Sequence, residues 1–254
     1  MNELTIDVVV TRYNEFINWI DYLPSNVRNI YVYNKGYNNY LFNNGYTNDK
    51  VVLLNLKNVG KIEHTIIYHI INNINSLPDT LVFLPGSVLM NPEKGKYLGN
   101  IVKNIDNVKE KYSGFYSPKF KKVGKKYDYV INKNNIIQNN RNINNGEIIG
   151  SEFTSLKDFK EKIIDSSPFK FVSFRSEFIV SRENILNVDI KIFQNILEIL
   201  SKGENCDSCY YVERIWAHIF KNKKKENSTQ ENSTQENSTQ ENSTQENSTQ
   251  ENSK

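Results

Sequence analysis

Val51 to Gly86 is the stretch that leaves this chain the fewest choices of fold. Val51, Val52, Leu53, Leu54 and Leu56 form a short apolar run of the sort that fills a buried parallel strand. Asn58-Val59-Gly60-Lys61 reads as a turn. Ile62, Ile66, Ile70 and Ile74, with Ile67 and Ile71 beside them, then repeat at helical spacing for about three turns. Leu77-Pro78-Asp79 ends that helix, and Thr80 to Leu84 is a second buried strand closed by Pro85-Gly86. This is one βαβ unit, and such crossovers are almost always right-handed.

The start of the helix is where a ligand would be expected. Its first N–H groups lack internal partners and carry partial positive charge, so an anion is stabilised there. Gly60 would let a ligand approach the backbone. Lys61 and His64 fall in the first turn, with Thr65 and Tyr68 on the same polar side. A phosphate-bearing ligand suits this corner. The plainer reading keeps Gly60 as a turn residue and Lys61 as a solvated cation, because Asn-x-Gly-Lys is not a complete P-loop.

The rest of the chain extends the alternation. Leu4 to Val10 reads as the first strand, followed by a helix capped by Asn14 and carrying Phe16, Trp19, Ile20 and Leu23. Asn29 to Tyr33 is the next strand, closed by Asn34-Lys35-Gly36, and Tyr37 to Lys50 is a polar loop. Strand and helix alternate up to Leu84, which predicts a Rossmann-like, mostly parallel sheet flanked by helices. Ligands of such sheets bind at the carboxyl ends of the strands. Arg12, Asn34, Lys35, Asn58, Lys61 and Ser87 all fall at that edge. Beyond it, Leu98 to Val108 predicts a helix, and an Asn-rich surface excursion spans about 123–150. Ser155 caps a further helix to about Asp165. Phe169 to Phe174 and Glu177 to Ser181 look like strands, Ile185 to Leu200 a long helix, and Tyr211 to Phe220 a final one.

Composition sets further bounds. From Glu226 the chain consists of Glu-Asn-Ser-Thr-Gln repeats, an apolar-free segment that cannot offset its own ordering entropy and is expected to be disordered. The predicted division is an α/β domain over residues 1–225 and a tail over 226–254. The net charge is +3; the tail contributes −5, which leaves +8 on the body. That balance favours phosphate-bearing or acidic partners without singling out nucleic acid, since no basic run is interleaved with aromatics. Cys206 and Cys209 are too few for a secreted disulfide scaffold, and no second pair or suitably spaced His completes a zinc site. They read as structural thiols, with a redox pair as the alternative. No signal peptide or run of membrane-spanning length is visible, so a soluble, intracellular protein is expected.

Val9-Val10-Thr11-Arg12-Tyr13-Asn14-Glu15, Tyr33-Asn34-Lys35-Gly36 and Asn58-Val59-Gly60-Lys61 with His64-Thr65 recur in order with Leu77-Pro78-Asp79 and Val82-Phe83-Leu84. Phe178-Ile179-Val180-Ser181-Arg182 and Glu213-Arg214-Ile215-Trp216 follow. In this the chain resembles the uncharacterised family known as domain of unknown function thirty-four thirty-one. That family is similar to glycosyltransferases of the GT-A type. The resemblance implies a nucleotide-sugar donor, an unknown acceptor and a divalent cation (Mn or Mg) held by a D-x-D pair after the fourth strand. Here that position reads Pro85-Gly86-Ser87-Val88-Leu89, with no carboxylate before Glu93, so no metal ligand is assigned. The metal is absent, a later acid supplies it, or the protein is a transferase fold kept as a binding or structural module. Under the transferase reading Glu177 or Glu213 is the general base. Arg12, Lys61 and His64 then stabilise diphosphate charge, alongside Asn34, Lys35, Asn58, Gly60 and Ser87 as binding residues.

Overall fold

The computed structural model describes residues 4–38, 48–90, 92–131 and 152–221. The repeat tail and residues 132–150 of the Asn-rich excursion lie outside the described residues. The chain divides into two compact units, Met1–Lys223 and Lys224–Lys254, and every described residue belongs to the first.

The strands are β1 (Ile6–Arg12), β2 (Val27–Asn34), β3 (Val51–Asn55), β4 (Thr80–Pro85), β5 (Phe115–Tyr116), β6 (Phe120–Lys122), β7 (Phe171–Ser173) and β8 (Phe178–Ser181). The helices are α1 (Lys61–Asn72), α2 (Pro92–Asn104), α3 (Val108–Tyr112), α4 (Leu156–Ile163), α5 (Arg182–Leu186), α6 (Ile190–Leu200) and α7 (Ser208–Lys221). Six strands form the main sheet in the order β3-β2-β1-β4-β8-β5, while β6 and β7 pair separately. β3, β2, β1 and β4 are mutually parallel, and β8 runs antiparallel to both β4 and β5.

Side-chain alternation along β1 builds a core on each face. Ile6, Val8 and Val10 pack with Trp19, Ile20, Ile101 and Ile105. Val9, in register with Tyr31 and Phe83, faces the larger cluster, where α1, α6 and α7 supply Ile66, Ile70, Phe193, Ile196 and Trp216. Each fully buried aliphatic side chain of this kind stabilises the fold by about 1.5–3 kcal/mol relative to an exposed one. Phe178 sits at the aromatic centre, 5.0 Å from the Phe83 ring and 5.4 Å from Trp216.

Several predicted elements change form. Asn14 adopts a left-handed φ of 65° and so does not cap a helix. Its Oδ1 instead accepts from the Asn38 N–H at 2.7 Å, and only a short 3-10 turn, Asn18–Tyr22, follows. β3 is the sheet edge rather than a buried strand, with Val52 and Leu54 exposed. The helix expected over Leu98–Val108 begins at Pro92, a residue whose fixed φ suits the first helical position, and breaks after Asn104 before α3. The one expected from Ile185 to Leu200 is interrupted because the Asp189 side chain accepts the Lys191 N–H at 3.0 Å and starts α6 afresh. The strand expected at Phe169–Phe174 leaves the main sheet as β7.

Gly60 marks the tightest crossing. Its φ is +58°, its N–H donates to the Gly203 carbonyl at 2.8 Å, and a Cβ there would stand 2.7 Å from the Leu200 carbonyl oxygen. The close approach that this glycine permits is therefore that of the protein's own α6. Gly60→Ala should lose about 2 kcal/mol or more of stability, from left-handed strain and overpacking together. Gly99→Ala, exposed in α2 with nothing within 4 Å of the new methyl, should instead gain about 0.5–1 kcal/mol. Urea unfolding midpoints of the two variants, at unchanged slope, check the contrast.

Candidate active site

The chain enters the sheet at β1, fills one side with β2 and β3, and returns to the other side with β4. Strand order therefore reverses between β1 and β4, the place where a doubly wound sheet opens a crevice at its carboxyl edge. A cleft of about 520 Å³ lies there, walled by Thr11, Glu15, Lys35, Asn58, Lys61 and Pro85, with Glu204 and Asn205 arriving from the loop after α6. A second cavity of about 250 Å³ shares Lys61, Ile62 and Pro85 with it. Its other walls carry Glu63, Glu177 and Glu213, the cations Lys94 and Arg175, and Ser87, Cys209 and Tyr210.

Of the residues singled out in the sequence, Lys35, Asn58 and Lys61 line the first cleft, and Lys61, Ser87, Glu177 and Glu213 meet in the second. Arg12 and Asn34 line neither space. Arg12 is fully buried, and its guanidinium donates to the Glu15 carbonyl at 2.8 Å, to Asn34 Oδ1 at 2.5 Å and to the Asn38 carbonyl at 2.6 Å. Its role there is to fix the loop ends. His64 lines neither space: it is buried and stacked on Tyr68 at 6.1 Å. Burial, then the Lys35 charge, lower its pKa to about 4, so it is neutral and offers no charge to a phosphate.

The lysines are held differently. Lys35 Nζ donates to the carbonyls of Val59 and, at 2.5 Å, Lys61, and burial lowers its pKa to about 8. Lys61 Nζ donates to the Tyr210 hydroxyl at 2.6 Å. Burial opposes the Lys61 charge, but the Tyr210 bond and nearby acids outweigh it and raise its pKa.

Glu63, which the sequence reading passed over, is as buried as Glu177 in this cavity, each at 3% exposure. Burial raises its pKa to about 7, against hydrogen bonds from Ser176 Oγ and its own N–H. Its carboxylate thus occupies the N-terminal turn of α1 where an external anion was expected. One signal was available: Glu63 stands in the first turn of the same helix, between Lys61 and His64. Glu213 is also raised to about 7, by burial first and then by Glu63. Glu177 is raised by burial, and its Oε2 is buried with no hydrogen-bond partner among the described residues.

The donor set does not fit a divalent cation. Among the described residues no three His, Cys, Asp or Glu side chains are grouped to hold a metal. At the turn after β4, Lys94 Nζ donates to Ser87 Oγ at 3.0 Å, a cation where metal ligands would be needed. A family model described as "Protein of unknown function (DUF3431)" matches residues 8–237. The chain belongs to that family. No curated protein matches the chain. The DUF3431 match runs through both cavities and all the walls named above. No described helix is long and apolar enough to cross a membrane.

A buried acid whose folded pKa exceeds its unfolded value keeps its proton longer in the folded state. Its charge is tolerated less well there, so stability falls as pH rises from about 4.5 to about 7. Glu63→Gln retains an acceptor for Ser176 and removes that loss. It should gain on the wild-type chain by up to about 3 kcal/mol across this window and no further above it. Denaturation at stepped pH measures the difference.

Proposed function

We propose that this DUF3431 protein is a glycosyltransferase of GT-A-like build that binds a nucleotide-sugar and transfers the sugar to an acceptor hydroxyl. The observation that carries the reading is the pairing of a crevice at the β1/β4 reversal with a carboxylate cavity across a shared Lys61. The nucleoside diphosphate takes the first cleft, with its phosphates toward Lys61. The acceptor takes the second cavity.

In the proposed step a Glu213 oxygen takes the proton of the acceptor hydroxyl. The freed oxygen bonds to the anomeric carbon as the bond from that carbon to the diphosphate oxygen breaks. A carboxylate with a pKa near 7 is matched to this task at neutral pH. Glu177 Oε2 holds the acceptor by taking a second hydroxyl's hydrogen bond. Charge on the leaving diphosphate is met by Lys61, which lines both spaces, with Lys94 and Arg175 adding positive charge from the acceptor side. A binding module without turnover is the second reading, favoured by the lack of a metal-binding acid set among the described residues.

Thermal shift and calorimetry with uridine and guanosine diphosphate sugars test the proposal. Binding should be undiminished by EDTA, and Lys61→Ala should weaken it about tenfold. Glu213→Gln should bind the donor normally and lower kcat by about 10²–10⁴. Donor binding with no turnover by any acceptor would select the binding module. The absence of any binding would sink both readings.

A further inference from the structure

Cys206 and Cys209 take no part in the proposed transfer, yet their placement is specific. They bracket the turn that opens α7, with the Cys209 N–H donating to the Cys206 carbonyl at 3.3 Å. Their sulfurs lie 2.8 Å apart, and both side chains are buried. Cys209 forms part of the wall of the carboxylate cavity, beside Tyr210, which holds Lys61. The two residues before Cys206, Glu204 and Asn205, wall the neighbouring cleft.

We propose that Cys206 and Cys209 form a reversible intramolecular disulfide in response to a peroxide that enters through the carboxylate cavity. The pair is preset for closure, since the sulfurs are already in contact across one turn and no backbone need move far to join them. The space of about 250 Å³ against Cys209 admits a molecule as small as hydrogen peroxide, and the Cys206 sulfur that attacks it lies 2.8 Å behind the Cys209 sulfur, off the cavity wall and reached past it. The two thiols also differ in character. The hydrogen bond from Cys209 stabilises the Cys206 thiolate and lowers its pKa, whereas burial pushes the Cys209 thiol well above its ordinary value. A thiol that ionises more readily beside one that keeps its proton is the arrangement that thiol oxidation favours.

The Cys206 thiolate attacks one peroxide oxygen. The O–O bond breaks, Cys206 becomes a sulfenic acid, and hydroxide leaves and takes up the proton that Cys206 had given to solvent. Cys209 then attacks the Cys206 sulfur, its thiol proton leaves with the sulfenic hydroxyl as water, and the S–S bond forms. In total two thiols lose two electrons and one peroxide becomes two waters. A dithiol reductant reverses the bond by exchange.

The chain has two cysteines in all, so counting alkylation sites is unambiguous. The full-length chain is treated with hydrogen peroxide, denatured, alkylated with iodoacetamide and weighed. The expected result is loss of both alkylation sites, a mass lower by two hydrogens, and recovery of both sites after dithiothreitol, with the chain monomeric on a non-reducing gel. The Cys209→Ser chain should accumulate a dimedone-reactive sulfenic acid at Cys206, and Cys206→Ser should react roughly tenfold more slowly. Two alkylatable thiols remaining after an exposure that oxidises free glutathione would overturn the proposal. So would protection that dithiothreitol does not reverse, or disulfides found only between chains. The wild-type measurement stands even if a variant fails to fold, and it uses no nucleotide-sugar, so its outcome is separate from that of the transferase reading.

Discussion

A fully buried arginine holds the carboxyl edge of this sheet together. Burying a guanidinium is costly unless nearly every donor finds an acceptor. Arg12, at the end of β1, offsets part of that cost by donating through Nε and Nη1 to two backbone carbonyls and the Asn34 side chain at the end of β2. The next link is the Lys35 N–H, which donates to the Arg12 carbonyl at 2.8 Å and directs the Lys35 side chain toward the start of α1. A Cβ at Gly86 would come within 3.2 Å of the Arg12 Cα, so β4 also leaves the sheet against the same residue. The crevice between β1 and β4 is shaped by this cluster. Were Arg12 truncated, Asn34 and two carbonyls would lose their donor in a closed space, and the loops that carry Lys35 and Glu15 would lose their anchor.

The carboxylate cavity shows the opposite balance. Burial raises the pKa of Glu63, Glu177 and Glu213, Glu63 and Glu177 raise that of Glu213 further, and these shifts are a cost to folding at neutral pH. A chain selected only for stability would place amides or apolar groups there. Retaining three acids beside Lys61, Lys94 and Arg175 fits a site that moves a proton and meets a charged ligand.

The sheet was legible in the sequence because its strands are runs of Val, Ile and Leu, and buried parallel strands have no other simple composition. α1 was legible from its isoleucine period, and α4 from Ser155, whose Oγ accepts the Asp158 N–H at 3.2 Å. Where the reading failed, a local hydrogen bond or a distant contact decided the outcome. Asp189 restarts a helix inside an unbroken apolar period, and Asn14 turns left-handed to reach Asn38. The two-residue β5 carries no pattern of its own and exists because Phe115 pairs across to Val180. At the site, Lys61, Glu177 and Glu213 could be named from type and position, but their meeting could not. Arg12 and His64 looked like ligand contacts for the same reason, since burial is a tertiary property that spacing does not encode. Glu63 was hidden because an acid in the first turn of a helix is also the commonest surface choice there.

The position of Glu63 has a consequence for how any phosphate can be held. Backbone amides at a helix N-terminus bind one anion well, and here the protein provides that anion itself. Under the proposed transferase reading, a diphosphate in the neighbouring cleft relies on side-chain cations rather than on the helix. Lys61 is the cation that faces both spaces, and Tyr210 fixes its ammonium at 2.6 Å. A single ammonium shared between two spaces also couples them. Lys61 favours the ionised form of Glu63, so under the proposed transferase reading a diphosphate drawing on Lys61 would weaken that hold across the wall. The acid cavity and the crevice are joined through this one side chain, and the segment of Cys206 and Cys209 contributes walls to both.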